Sequence, residues 1–226
     1  MKRKQSGFTL IEIAIVLVII GLLLGGVLKG QELINSAKVK NLATDFKNIP
    51  VYIYGYQDKF KALPGDDGAV ANHLGTSATA CTPTLTKCVP GDGIIEGAWN
   101  AGVPKTPDLT SETYVFWQHV RLAGLAAGST DTTDADGSYL PTNAVGGRIG
   151  ITNAAQSPIT GLKGSYIICS DGIAGKFARQ LDTTLDDGVS TTGSLQVIAA
   201  GTTTAGPPLA ITPTNDDTTY LVCMGM

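Results

Sequence analysis

The apolar residues divide the first 60 positions into two halves. From Phe8 to Leu28 only Thr9 and Glu12 are polar, and a helix of that length rises about 30 Å, enough to cross the hydrocarbon core of a bilayer. Beyond that run, apolar residues recur in three- and four-residue steps, which predicts a helix with one apolar face. The members of this stripe are Val39, Leu42, Phe46, Ile49, Ile53, Tyr56 and Phe60.

The two halves predict one long helix from about Phe8 to about Phe60. Its first half is a membrane span, and its second half is the amphipathic spine of whatever follows. Pro50 interrupts the second half, where it removes one backbone hydrogen bond, and a kink is expected there.

Charged residues at the start of the chain predict its orientation in a membrane. Lys2, Arg3 and Lys4 stand just before the apolar run, which places the amino terminus in the cytoplasm and the rest of the chain on the exported side. Glu12 lies inside the apolar run. A carboxylate in that position is costly unless it finds a partner, and this makes Glu12 a candidate functional residue.

The remaining residues, 62–226, are predicted to form an exported globular head. Its apolar runs are short and separated by turn signals, and the chain contains 28 Gly and 11 Pro, which is typical of a loop-rich α+β domain. We expect a small antiparallel sheet packed on the long N-terminal helix. The predicted strands are Ser165 to Cys169, Ser194 to Ala199 and Thr219 to Met224, and the predicted helices are Ser111 to Ala127 and Lys176 to Leu185.

Composition argues against several classes of function. A net charge of −3 disfavours a broad nucleic-acid-binding surface. His73 and His119 have no nucleophile or phosphate-loop motif beside them, so no enzyme is expected. The four cysteines have no metal-ligand spacing, which predicts disulfides in an exported domain and leaves three pairings open.

Acidic turns are the remaining candidates for chemistry. Five of these turns could offer oxygen ligands to calcium, although none completes an EF-hand: Asp66-Asp67-Gly68, Asp92-Gly93 with Glu96, Asp134-Ala135-Asp136-Gly137, Asp186-Asp187-Gly188 and Asp216-Asp217. Asp-Gly pairs also form turns without any ion. The best candidate calcium site groups Asp66, Asp67, Asp92 and Glu96, because the flexible turn at Gly93 lets the last two face one ion.

The start of the chain resembles the type IV pilin superfamily, which includes pilins, the pseudopilins of type II secretion and related competence subunits. The similar features are a basic leader ending in Gly7, the sequence Gly7-Phe8-Thr9-Leu10-Ile11-Glu12 and the apolar helix after it. They cover about 25 positions. A cleaved secretory signal would have a shorter apolar region with a small-residue cleavage site after it.

The resemblance implies how the N-terminal segment is used. A prepilin peptidase cuts after Gly7 and methylates the new amine of Phe8. In a filament that amine would pair with the Glu12 carboxylate of a neighbouring subunit, so that two costly charges offset each other.

The resemblance also implies an organisation for the whole chain. Residues 1–7 are a leader peptide, 8–29 the transmembrane and assembly helix, 30–61 the amphipathic spine and 62–226 the head. The cysteine pairs are Cys81–Cys88 and Cys169–Cys223. The partners are further copies of the chain, the prepilin peptidase and an assembly machine. No cofactor is required, and calcium is a candidate ligand of the acidic turns. The subunit is anchored in the inner membrane, with its head in the periplasm, before joining an extracellular or periplasmic filament.

Two functions remain open within this resemblance. The chain is a structural subunit of a surface pilus used for adhesion, motility or DNA uptake. Alternatively, it is a pseudopilin or minor pilin of a type II secretion system that exports proteins across the outer membrane. Many major type IVa pilins carry a proline near the end of the apolar run, whereas this chain has none before Pro50.

Overall fold

The computed structural model describes residues 9–83, 88–102, 106–202 and 204–226. By its internal contacts the chain divides into two units, residues 1–38 and 39–226. Helix α1, Leu10–Phe60, contains 51 residues and continues through Pro50. The predicted long helix is therefore confirmed, while its expected first residue, Phe8, lies outside the described part of the chain.

The apolar stripe of α1 is buried from residue 39 onward. Six of the seven stripe positions are among its buried residues, and the seventh, Phe60, is partly exposed. Within residues 39–226 the stripe side chains from Val39 to Ile53 join one hydrophobic core with side chains such as Phe116 and Val222, and Tyr56 is also buried. The three- and four-residue spacing places the stripe on one helix face, so a single face supplies the whole contact.

The head contains a four-stranded antiparallel sheet, which confirms the α+β fold class. The strands are β1 Ile149–Asn153, β2 Tyr166–Ala174, β3 Leu195–Ala199 and β4 Thr219–Gly225. They are arranged in the order β1-β2-β4-β3, and every neighbouring pair is antiparallel. Strand β2 continues past the predicted end at Cys169, and β1 was not predicted.

Three shorter helices complete the described fold: α2 Val70–Leu74, α3 Glu112–Leu122 and α4 Gly175–Leu185. Helix α4 agrees with its predicted range to within one residue at its start. The prediction carried α3 too far, to Ala127. The chain turns earlier because Gly124 adopts a left-handed conformation, with φ of 76°, and the amides of Leu125 and Ala126 both donate to Val120 O.

Two disulfides close loops in the head. Cys81 is bonded to Cys88, and Cys169 to Cys223, the same pairs that the resemblance implies. Cys169 and Cys223 lie directly opposite each other on β2 and β4, so the second disulfide joins the C-terminal strand to the strand beside it. A closed loop of that length restricts the unfolded chain, which is how disulfides usually stabilise a domain.

Candidate functional site

The assembly segment begins beyond the described residues and continues into α1. Gly7 and Phe8, the predicted processing residues, lie outside the part of the chain that the structure describes. Glu12 is in the first turn of α1. Its Oε2 accepts hydrogen bonds from Thr9 N at 2.8 Å and from Thr9 Oγ1 at 2.7 Å, and Glu12 N donates to Thr9 Oγ1 at 3.3 Å.

This reciprocal arrangement is a capping box, in which Thr and Glu three residues apart satisfy each other's backbone amides. Sequence reasoning overlooked Thr9 as a partner of Glu12, although the pattern Thr9-Leu10-Ile11-Glu12 is the signal that identifies it. The carboxylate therefore has a local partner within its own chain.

The first half of α1 presents an apolar surface on all sides. Large apolar side chains from Leu10 to Ile34 are exposed, including Leu10 at 90% and Leu22 at 73%. The most apolar window of α1 has no buried residue, and the helix is long and apolar enough to cross a membrane. A Cβ built on Gly21, Gly25, Gly26 or Gly30 would meet no atom within 4 Å, so these small positions are open to close approach by another helix.

Asp66 organises a loop of backbone amides. Its buried carboxylate accepts hydrogen bonds from Gly91 N, from Asp92 N at 3.2 Å and from Gly93 N at 2.8 Å. Burial raises the pKa of Asp66, and these amides partly offset that effect by favouring the ionised form. The Asp66 carboxylate therefore holds the loop of residues 91–93 in place.

Asp67 points to a different set of partners. Tyr56 Oη donates to its Oδ2 at 2.6 Å, Ala69 N donates to its Oδ1 at 2.9 Å, and His73 Nδ1 lies 2.7 Å from Oδ2. Although burial opposes ionisation, the hydrogen bonds from Tyr56, His73 and Ala69 lower the pKa of Asp67. Asp67 therefore ties α1 to α2 as an ionised carboxylate.

The other two candidate calcium ligands also accept backbone amides. Asp92 Oδ1 accepts from Ile94 N at 2.9 Å, and Glu96 Oε2 accepts from Val89 N at 2.9 Å. Among the described residues, Asp66, Asp67, Asp92 and Glu96 do not supply three carboxylate oxygens within 4.8 Å of one another. Calcium binding by these four residues stays a prediction.

Glu112 is a buried acid beside this region that the sequence did not single out as a site residue. Its Oε2 accepts from Glu96 N at 2.8 Å, while its buried Oε1 has no hydrogen-bond partner among the described residues. Burial, together with the nearby carboxylates of Asp66, Glu96 and Asp92, raises the pKa of Glu112 to about 8. The acid is therefore protonated in the folded chain at neutral pH.

The two histidines have structural partners. His119 is fully buried, and its Nδ1 accepts from Gly65 N at 2.9 Å, so Nε2 carries the proton that it donates to Thr79 O at 2.9 Å. Burial lowers the pKa of His119, which keeps the ring neutral. His73 pairs with Asp67 and stacks on Phe60, with 5.2 Å between ring centroids. His119 thus connects α3 to the loops at Gly65 and Thr79, and His73 connects α2 to Asp67 and Phe60.

A group of three carboxylates does form elsewhere, at the end of α4. One oxygen from each of Asp182, Asp186 and Asp187 lies within 4.8 Å of the others. The sequence analysis named the turn Asp186-Asp187-Gly188 but missed Asp182, one helical turn earlier. Aspartates that lie four and five residues apart at the end of a helix are the sequence signal that could have identified Asp182.

Comparison with known proteins supplies the final observation. Residues 2–28 match the family model described as Prokaryotic N-terminal methylation motif, which is the class III signal of type IV pilins and pseudopilins. No curated protein and no solved structure gave a significant match. The motif implies processing by a prepilin peptidase and indicates a structural subunit rather than an enzyme family, and the apolar helix fits anchoring in the inner membrane. The chain therefore begins with the signal of a type IV pilin-like or pseudopilin precursor.

Proposed function

We propose that this chain is a structural subunit that is processed at the inner membrane and polymerises into a helical surface pilus. The observation that carries the proposal is the first half of α1, whose apolar side chains are exposed on all sides and most of which lies within the methylation motif at residues 2–28. Such a surface needs lipid before assembly and other helices afterwards.

The position of Glu12 suits this change of environment. While the subunit is alone, Thr9 satisfies the carboxylate through the capping box. Cleavage before Phe8 would create a charged amine a few residues away, near hydrocarbon. In a filament, the Glu12 carboxylate of one subunit and the Phe8 amine of its neighbour would offset each other's desolvation. The proposal thus gives the same carboxylate a local partner first and an intersubunit partner later.

A pseudopilin or minor pilin of a type II secretion system is the second candidate. It is favoured by one observation: α1 runs from Leu10 to Phe60 with Pro50 as its internal proline, and so lacks the early proline of many major type IVa pilins. The exposed apolar half of α1 serves a short periplasmic filament in the same way as a long surface fibre.

Shearing cells of the native host separates the two functions. For a surface pilus, the sheared fraction should contain fibres in which this chain is the dominant protein, and deletion of its gene should remove them. For a secretion pseudopilin, the sheared fraction should lack the chain, and deletion should block export of secreted proteins. A chain that stays in the inner membrane, with no crosslinked multimers and no effect on fibres or secretion when deleted, would overturn polymerisation.

A further inference from the structure

Three aspartates converge where α4 ends. Asp182 is in the last turn of the helix, Asp186 is its C-cap residue and Asp187 follows directly. One carboxylate oxygen from each lies within 4.8 Å of the others. These three residues, the α4-end cluster, lie in the exported head and share no residue with the N-terminal assembly segment.

Asp182 supplies a second, independent observation. Its side chain is completely buried, and although Oδ1 accepts from Gly188 N at 3.2 Å, the buried Oδ2 has no hydrogen-bond partner among the described residues. Buried carboxylate oxygens are normally paired, because an unpaired one loses its hydration without compensation. Because Oδ2 belongs to the same carboxylate that joins the cluster, its missing partner points to a ligand there.

Among the described residues, no ion pair balances the charge of the cluster. The described ion pairs of α4 join Lys176 to Asp217 and Arg179 to Asp216, and none of the described ion pairs includes Asp182, Asp186 or Asp187. The cluster also lies at the carboxyl end of a helix, where unpaired backbone carbonyls add partial negative charge. Both features favour a cation.

The loop after α4 holds the two outer carboxylates in place. Asp186 Oδ2 accepts from Leu195 N at 2.8 Å, and Asp187 accepts from Val189 N at 2.8 Å and from Thr192 Oγ1 at 2.7 Å. Gly193 lies against Asp186, and a Cβ there would collide with Asp186 Oδ2. Each carboxylate offers about four lone-pair sites, so these bonds leave capacity for an ion.

We propose that Asp182, Asp186 and Asp187 bind one calcium ion at the carboxyl end of α4. Calcium suits the cluster because it accepts carboxylate, carbonyl and water oxygens in an irregular shell, whereas magnesium requires a near-ideal octahedron. Carbonyls of the last helical turn and water complete the coordination. The ion joins α4 to the loop that leads into β3, and it satisfies the buried oxygen of Asp182.

Calorimetric titration of the detergent-solubilised full-length chain with calcium chloride, after removal of metal by a chelator, tests the site. We expect one calcium per chain with a Kd of about 0.1–1 mM, as in extracellular modules. Asp187→Asn should weaken binding about tenfold or more, since it removes one charge from an exposed ligand, and Asp182→Asn should remove it. Asp131→Asn is the matched control, because Asp131 is also exposed and also accepts a turn amide, from Thr133 N.

The control and the two variants separate the outcomes. Retention of full affinity in Asp187→Asn, which changes an exposed side chain and need not disturb folding, overturns the proposal even if Asp182→Asn fails to fold. Binding lost in Asp92→Asn instead assigns calcium to Asp66, Asp67, Asp92 and Glu96 and overturns this site. An absence of saturable binding at millimolar calcium also overturns it, and leaves a proton as the ligand of Asp182.

Discussion

The two halves of α1 are both rich in apolar residues, yet they meet opposite environments. From Leu10 to Ile34 the large apolar side chains are exposed on every face. From Val39 to Tyr56 most apolar side chains fall on one stripe that is buried in the head, whereas Val51 and Tyr54 lie off the stripe and are exposed. The difference lies in the pattern of the residues, since both halves belong to one continuous helix.

The pattern of apolar residues decides where each half of α1 finds its packing partner. A helix with one apolar stripe can bury it against its own domain and leave its polar face in water. A helix that is apolar all round has no such arrangement, and a large exposed apolar surface on a soluble domain would promote aggregation. The first half therefore needs lipid or other helices around it, and the proposed function makes Glu12 the residue that recognises a neighbouring subunit.

The largest expected effect comes from blocking cleavage after Gly7, the step that precedes assembly with other subunits. Gly7→Leu should leave residues 1–7 attached, because a bulky side chain at the junction hinders the close approach that a glycine allows. Intact-mass measurement should find the wild-type chain starting at N-methyl-Phe8 and the variant unprocessed. Gly30→Leu is the control, since a Cβ there meets no atom within 4 Å. Retention of residues 1–7 in assembled wild-type protein would contradict the pilin-like reading.

The next effect tests the carboxylate in the apolar half. Glu12→Val should insert into the membrane as well as the wild type, since an apolar residue suits the span, but sheared filaments should fall by about tenfold or more because the neighbour's amine loses its partner. Quantitative immunoblotting of sheared and membrane fractions measures both. Glu32→Val is the matched control on the same helix, where Glu32 is exposed and paired with Lys29.

A conservative variant separates charge from capping at Glu12. Glu12→Gln keeps an acceptor for Thr9, because glutamine also forms the capping box, but it removes the negative charge. If filaments need the charge, Gln and Val should fail alike. Wild-type assembly of Glu12→Gln would mean that the capping box is the whole role of this residue.

A moderate effect is expected in the second half of α1. Ile53→Ala should lower the free energy of unfolding by about 2–5 kcal/mol, since Ile53 is 0% exposed and its loss leaves a cavity. Val51→Ala, two residues earlier and 62% exposed, should change it by about 0.5 kcal/mol or less. Chemical unfolding of the solubilised chain, followed by circular dichroism, compares them. Equal effects would remove the distinction between the two faces of this half.

The smallest effect concerns the pH dependence of the head. The folded pKa of Glu112 is about 8, above its ordinary value of 4.5, so the folded state holds a proton that the unfolded state releases. The stability from this group is complete below about pH 4.5 and is lost as the pH rises toward 8. Glu112→Gln should reduce the decline in melting temperature between pH 6 and pH 8, whereas Glu32→Gln should leave it unchanged. An undiminished decline in Glu112→Gln would assign it to other groups.

The local pattern of apolar residues was enough to predict the helices and strands whose buried face follows from periodicity. The long helix, its buried stripe and most of α4, β3 and β4 follow from runs of apolar residues at fixed spacing. Strand β1 was missed because Ile149–Asn153 is short and contains a glycine, and its strand character comes from pairing with β2. The end of α3 was misplaced because a turn at Gly124 and the contacts of Arg121 with the following loop override local helix propensity.

By itself, the sequence determined the N-terminal signal, the membrane-spanning pattern, the amphipathic spine and the α+β class, because each depends on residues close together in the chain. Only the tertiary structure decided which acidic residues serve the backbone and which converge. It gave the oxygens of Asp66 to the amides of the 91–93 loop, and it brought Asp182 beside Asp186 and Asp187 with one oxygen unpaired. The physical reason is that burial and hydrogen bonding of a carboxylate depend on long-range packing, which no local pattern specifies.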